Sequence, residues 1–122
     1  MKVAVTSYGE DLAGKVDLSF GRAKWFVVVD SDSGAVDAHS NRQNVNAAQG
    51  AGIQAAQNVA NLDVEVVLTG NVGPNAFRAL QAAGIRMYIV GRDIERVEDA
   101  IAQWKAGHLQ EVHEATIEGH WV

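Results

Sequence analysis

Five short apolar runs, separated by polar or glycine-containing stretches, organise the first 90 residues of the chain. Residues 25–29, 64–69 and 86–90 are rich in β-branched or aromatic side chains, which is typical of buried strands. Residues 1–6 and 36–39 form weaker runs, and the second of these follows turn residues that predict a hairpin. The pattern therefore predicts five strands.

Three stretches with helical spacing lie between and after these runs. Residues 47–62 place small side chains on one predicted inner face: Ala48, Ala51, Gly52, Ala55, Ala56 and Val59. A second helix is expected to begin at Pro74, bury Phe77 and Leu80, and end at Gly84. A third is expected to begin after Asp93, with apolar residues at 3-4-3 spacing, and to end at Gly107.

The order of these elements predicts one α/β domain over residues 1–107. The first strands should pair antiparallel, and the later ones should be parallel because right-handed helical crossovers join them. The prediction is a mixed five-stranded sheet with helices on its faces. Residues 108–122 are acidic and weakly periodic, so we predict a loosely held C-terminal tail, in which Trp121 is the residue best suited to dock on the domain.

Composition limits the environment and the partners of the chain. It has no cysteine, which excludes disulfides, thiolate ligands and a cysteine nucleophile. No apolar run approaches the roughly 20 residues that span a bilayer, and the start does not resemble a signal peptide. We therefore expect a cytoplasmic protein with no membrane partner.

Charge is distributed unevenly along the chain. The net charge is −5, yet residues 1–92 contain eight basic and eight acidic side chains, so the whole excess lies beyond residue 92. An acidic C-terminal segment argues against nucleic acid as a partner. It leaves room for an anion site in the neutral part of the chain.

The loop of residues 69–74 is the strongest candidate for such a site. It joins a strand to a helix, whose first N–H groups are unpaired and whose dipole favours an anion. Its glycines would let a ligand approach the backbone. The candidate binding residues here are Thr69, Gly70, Asn71, Gly73 and Pro74. A capped turn that binds no ligand would have the same sequence.

Residues 44–52 lead into the other crossover helix and should lie at the same carboxyl edge of the sheet. Asn44, Gly50 and Gly52 are therefore further candidates, although close packing of a helix on the sheet explains the glycines equally well.

Arg22 and Arg42 are candidate cations for an anionic ligand, because a guanidinium presents five donors. The alternatives are a salt bridge from Arg22 to Asp17 or Asp30, and a solvated charge at Arg42. His39 is a candidate metal ligand for copper or iron, with an ordinary surface histidine as the alternative. His108, His113 and His120 have a spacing that fits no compact chelate.

Three ordered segments together resemble the dinitrogenase iron–molybdenum cofactor biosynthesis family. They are Phe20-Gly21-Arg22-Ala23 before an aromatic strand and Asp30, then Asn44 with residues 50–56, then residues 69–77 with Leu80, residues 83–85 and Tyr88. The resemblance covers about residues 2–107. The chain departs from the family pattern at Val45, where a proline is common, and at Ser19, where a residue other than serine is common.

The resemblance implies a ribonuclease H-like fold and a carrier of the iron–molybdenum cofactor or its precursors. A stand-alone family member of similar length holds a molybdenum–copper sulfide cluster without covalent attachment. We therefore expect a monomeric binding protein, not an enzyme, for an anionic molybdenum-containing metal–sulfur cluster. The candidate residues above would hold this cluster, and Trp25 or Phe77 would shield it from water.

Catalytic interpretations have less support. A ribonuclease H-like nuclease needs a carboxylate on its first strand, and residues 3–7 contain none. No Ser–His–Asp arrangement is visible, and residues 70–73 lack the Lys-Ser/Thr ending of a P-loop. Two other hypotheses remain open: a regulatory or adaptor domain that binds a protein partner without a cluster, and a binder of small anions or nucleotides.

Overall fold

The structure is a computed structural model that describes residues 1–45 and 49–116. In this part of the chain there are six strands and four helices, in chain order β1 Lys2–Ser7, β2 Trp25–Asp30, β3 Val36–Ser40, α1 Arg42–Val45, α2 Ala51–Asn61, β4 Val66–Thr69, α3 Pro74–Ala82, β5 Arg86–Ile89, α4 Val97–Lys105 and β6 Gln110–Glu111. No helix among these residues is both long enough and apolar enough to cross a membrane.

The strands form one mixed sheet in the order β3-β2-β1-β4-β5-β6. β1 pairs with β4, and β4 with β5, in parallel. The β1–β2, β2–β3 and β5–β6 pairs are antiparallel. The predicted α/β class and the mixed sheet are confirmed, and each of the five predicted strands is present in it.

Both faces of the sheet are covered, because the central strands are apolar at successive positions. On one face Ala4 and Val67 lie in a core cluster with Val59 of α2 and Leu80 of α3. On the other face a second cluster joins β1 and β4 to α4, with Val3, Val5, Val66, Leu68, Val97 and Ile101 among its members. The result is a three-layer α/β domain.

Within residues 1–45 and 49–116, the sheet has six strands rather than the five predicted. β6 pairs with β5 through Tyr88 opposite Glu111, and Val112 beside it is buried in the core cluster of α2 and α3. A two-residue strand is too short to show alternation, so the sequence pattern could not reveal it. The predicted domain boundary after Gly107 stays a prediction, and Trp121 lies outside the described residues.

Two helix starts also differ from the prediction. α2 begins at Ala51, after Gly50 in the left-handed region (φ 78°), whereas the predicted start at Ala47 lies outside the described residues, as does Ala48. α4 begins at Val97 and not after Asp93, because Arg96 is extended (φ −110°, ψ 153°). The N–H of Val16 donates to the carbonyl of Glu95 at 2.7 Å, so this stretch pairs with the loop after β1.

Four connections meet at one edge of the sheet. β1, β3, β4 and β5 run in the same direction, since β3 is antiparallel to β2 and β2 is antiparallel to β1. Their carboxyl ends lead into residues 8–24, 41–45, 70–73 and 90–96. We call this the carboxyl edge, and it contains most of the candidate binding residues.

Candidate functional site

Residues 18–21 cross the middle of the carboxyl edge and pack on the loop after β4. Ser19 forms a parallel bridge with Asn71, and the Asn71 side chain donates to the carbonyl of Leu18 at 3.4 Å. A Cβ added at Gly70 would lie 2.6 Å from the Cβ of Leu18. Gly70 is therefore required for this packing and is covered by Leu18.

The same segment touches the start of α2 on its other side. A Cβ at Gly21 would lie 2.9 Å from the Cα of Gly52, and a Cβ at Gly52 would lie 3.0 Å from the Cβ of Ala76 in α3. The glycines thus bring the N-terminal ends of α2 and α3 together against residues 18–21. The sequence predicted this convergence, and the close packing is the role that the structure shows for Gly52.

A buried amide pair ties this segment to the residues before α2. The Asn41 side chain donates to the carbonyls of Ala23 at 2.8 Å and Gly21 at 3.1 Å. The Asn44 side chain donates to Oδ1 of Asn41 at 2.7 Å, and both asparagines are buried. Asn44 therefore supports the backbone of the site through Asn41.

The two arginines predicted from the sequence lie on the β2–β3 side of the edge. Nη1 of Arg22 donates to the carbonyl of Val45 at 3.3 Å. The guanidinium carbon of Arg42 is 5.3 Å from the centre of the Trp25 ring, a cation–π contact. Both side chains are exposed at the surface.

His39 is half-buried on β3 opposite Phe26. Among the described residues, no group of three or more histidine, aspartate or glutamate side chains could hold a metal ion. A metal-binding role of His39 stays a prediction.

The remaining candidates differ in accessibility. Thr69 is fully buried, with its hydroxyl 2.8 Å from that of Thr6, whereas Gly50 is exposed at the start of α2. Gly73 precedes Pro74, the first residue of α3, has no side-chain cap, and faces open space at its Cβ position. The N-terminus of α3 is thus the predicted anion position that a ligand can reach.

A cavity of about 660 Å³ opens beside this helix start. It lies between the loop after β1, the loop before α3 and the segment after β5. Of the sequence-predicted binding residues, Asn71 and Gly73 line it, whereas Arg22 and Arg42 do not.

The charged side chains of this cavity come from segments far apart in the sequence. They are Lys15, Asp17, Arg92 and Glu95. The sequence analysis did not single out Lys15 or Arg92. The sequence feature that could have identified them is that each is a basic residue in a glycine-containing loop that follows a strand.

Asp17 is the buried carboxylate of the cavity, at 6% exposure. Burial raises the pKa of its carboxyl group. Two weaker effects lower this pKa: the Ser19 N–H donates to Oδ1 at 3.0 Å, and the positive charge of Lys24 favours the carboxylate. The cavity therefore contains a carboxyl group whose negative charge is disfavoured.

The fold and this edge define a class of protein: a cysteine-free α/β domain whose sheet ends in two converging helix starts beside an open, charged cavity. The chain belongs to the dinitrogenase iron-molybdenum cofactor family, whose model matches residues 1–107.

Two solved structures are similar over nearly the whole chain. The apo form of the orange protein from Desulfovibrio gigas is 41% identical, with a TM-score of 0.89, and the match covers 95% of this chain and 96% of that one. A putative NifB protein from Thermotoga is 35% identical, with a TM-score of 0.82, and the match covers 97% and 98%.

A curated relative matches over a shorter stretch. It is an uncharacterized protein from Methanocaldococcus jannaschii, 30% identical over 71 residues. These residues are 57% of this chain and 60% of that protein, so the match spans less than two thirds of the relative.

Proposed function

We propose that this protein is a non-covalent carrier of an anionic molybdenum-containing metal–sulfur cluster, either a molybdenum–copper sulfide or a group like the iron–molybdenum cofactor. It acts by binding, without catalysing a reaction. The observation that carries the proposal is the open N-terminus of α3 at Gly73 beside a cavity of about 660 Å³. The strand order of β1 to β5 and the antiparallel β2 further support a ribonuclease H-like assignment.

The family description and one relative support a bound group. The family is named for an iron-molybdenum cofactor, and the similar Desulfovibrio protein is described in an apo form, which implies a form with something bound. What these descriptions suggest for the relatives is proposed here for this chain. We also propose a cytoplasmic monomer that binds neither nucleic acid nor a membrane.

The chemistry of binding follows from the absence of cysteine. Without thiolates, the affinity must come from hydrogen bonds to charged groups, each worth about 1.5–3 kcal/mol. The first N–H groups of α3 suit this role, although Pro74 itself has none to donate. Gly73 and Asn71 are the proposed contacts, whereas Thr69, Gly70, Asn44 and Gly52 shape the backbone around them. Gly50 offers the exposed start of α2.

Reconstitution tests the proposal directly. The protein is incubated without oxygen with tetrathiomolybdate and Cu(I) and passed through a gel filtration column. Visible absorbance and the bound metals are then measured. We expect coloured protein with molybdenum and copper in a constant ratio. If natively folded protein leaves the column colourless and metal-free, it is not a carrier of this cluster. That result would support the alternative, an adaptor domain that binds a protein partner without a cluster.

A matched pair of variants locates the binding. Gly73→Val puts a side chain into the open space before α3 at an ordinary φ of −73°, so it should abolish retention without harming the fold. Lys2→Ala removes one positive charge at the opposite edge of the sheet and should retain the cluster. Equal retention in Gly73→Val and the parent would place the cluster away from α3.

A further inference from the structure

We infer that the cluster lies inside the cavity between the loop after β1 and the segment after β5, where Lys15 and Arg92 supply its counter-charge. The inference rests on the proposed function and specifies which flank of residues 18–21 the ligand occupies. The sequence alone favoured the opposite flank, where Arg22 and Arg42 lie.

The lining of the cavity suits a sulfide-rich anion. Apolar side chains of Val16, Leu18 and Ile94 form part of its wall, with Tyr8 exposed beside them. A thiometallate is large, its charge is spread over polarisable sulfurs, and it is weakly hydrated compared with phosphate. A cavity of mixed apolar and polar character therefore costs such an anion less desolvation than it would cost a compact oxyanion.

The two bases of the cavity are available to a ligand. Lys15 and Arg92 are exposed, and neither forms an ion pair within the described part of the chain. By contrast, Nη1 of Arg22 is engaged by the Val45 carbonyl and the guanidinium of Arg42 lies over Trp25. Each arginine on that flank therefore already has a protein contact, whereas no ion pair holds Lys15 or Arg92 among the described residues.

Because the cavity also contains carboxylates, its affinity for an anion depends on each of the two bases. Asp17 and Glu95 offset the charges of Lys15 and Arg92, so the lining is balanced. Removing one base leaves a net negative lining, which repels an anion, whereas removing the charge of Asp17 leaves a net positive one. The helix start at Gly73 opens into the same cavity and adds N–H donors.

Five variants test the location by titration with tetrathiomolybdate and Cu(I). Lys15→Ala and Arg92→Ala should each weaken cluster binding about tenfold or more, since losing one charge-assisted hydrogen bond costs at least 1.4 kcal/mol, a factor of ten. Asp17→Asn should tighten it. Arg22→Ala and Arg42→Ala make the same change in net charge on the other flank and should have smaller effects.

The outcomes separate this inference from the proposed function. If Arg22→Ala and Arg42→Ala lose the cluster while Lys15→Ala and Arg92→Ala bind like the parent, the cluster lies on the β2–β3 flank. The carrier function then stands and the inference is overturned. A parent protein that binds no cluster overturns both.

A footprint on the unaltered protein gives a second readout. An amine-acylating reagent is applied to the empty and the cluster-loaded protein, and each lysine is followed by mass spectrometry. Lys15 should be protected by the cluster, whereas the exposed Lys2 and Lys105 should react equally in both forms. Equal acylation of Lys15 with and without the cluster would show that Lys15 does not contact the cluster.

Discussion

Two glycines of the carboxyl edge have opposite structural roles. A Cβ at Gly21 would lie 2.9 Å from both the backbone N and the Cα of Gly52, atoms that cannot move without shifting α2, whereas a Cβ at Gly73 would meet nothing within 4 Å. We expect Gly21→Ala to destabilise the fold by about 1–3 kcal/mol through overpacking, and Gly73→Ala to leave stability nearly unchanged. Urea denaturation of the two variants measures this. Parent-like stability of Gly21→Ala would show that the segment is not held against α2.

The buried Asp17 predicts a pH-dependent effect on stability. Because burial raises its pKa, the folded protein holds this proton more tightly than the unfolded chain does. The contribution of Asp17 to stability therefore falls as pH rises through its ordinary carboxyl range and the raised folded pKa, and stays low above that.

Asp17→Asn should relieve this cost, because the amide oxygen can still accept from the Ser19 N–H and no charge is buried. We expect a higher unfolding free energy than the parent at pH 7, with the difference shrinking as the pH approaches about 4. The measurement is urea denaturation across that range. A variant that is less stable than the parent at pH 7 would contradict the assignment.

At the scale of elements, the residues after α4 support the site loop. The Val72 N–H donates to Oγ1 of Thr116 at 2.7 Å, and the Thr116 N–H donates to the Val72 carbonyl at 2.9 Å. Val72 immediately precedes Gly73, so the C-terminal segment braces the loop that leads into α3. β6 pairs with β5 in the sheet, and Nε of Arg86 lies 3.2 Å from Oε2 of Glu111 in an ion pair between the two strands.

Residues beyond Gly107 should therefore matter for stability. Removing residues 108–122 exposes the surface that Val112 covers, and burial of such a side chain is worth about 1.5–3 kcal/mol. We expect the shortened chain to have a lower thermal midpoint and to retain less cluster. Val112→Ala should reproduce part of the loss, and His113→Ala, at an exposed neighbouring position, should not. A shortened chain with the parent midpoint would show that this segment contributes nothing.

At the scale of the whole molecule, we propose that the protein is a monomer. The large apolar side chains exposed in the described residues are Met1, Tyr8 and Ile53, which lie at opposite ends of β1 and on α2. These residues are few among the described ones, and a net charge of −5 adds repulsion between copies of the protein. Sedimentation equilibrium should give a mass near 13.0 kDa for the protein without cluster. A dimer at micromolar concentration would contradict this.

The sequence by itself predicted five strands, the three longer helices, their order along the chain and the strand–helix loop before Pro74, whereas it missed the short α1 and β6. These features are local: β-branched runs, a proline at the first turn of a helix, and glycines at turns can be recognised without knowing what they contact. Five of the six strands in the described part of the chain and the start of α3 at Pro74 follow from them. The missed strand is two residues long and depends on pairing with β5.

Only the tertiary structure decided how the polar candidates are used. Thr69 turns its hydroxyl to Thr6, and Asn44 turns its amide to Asn41, because buried polar groups must find partners and the nearest ones come from other segments. Lys15 and Arg92 share a cavity because parallel crossovers bring the ends of β1 and β5 to one edge. Such neighbours are distant in the chain, so their proximity is a property of the folded sheet and not of any local pattern.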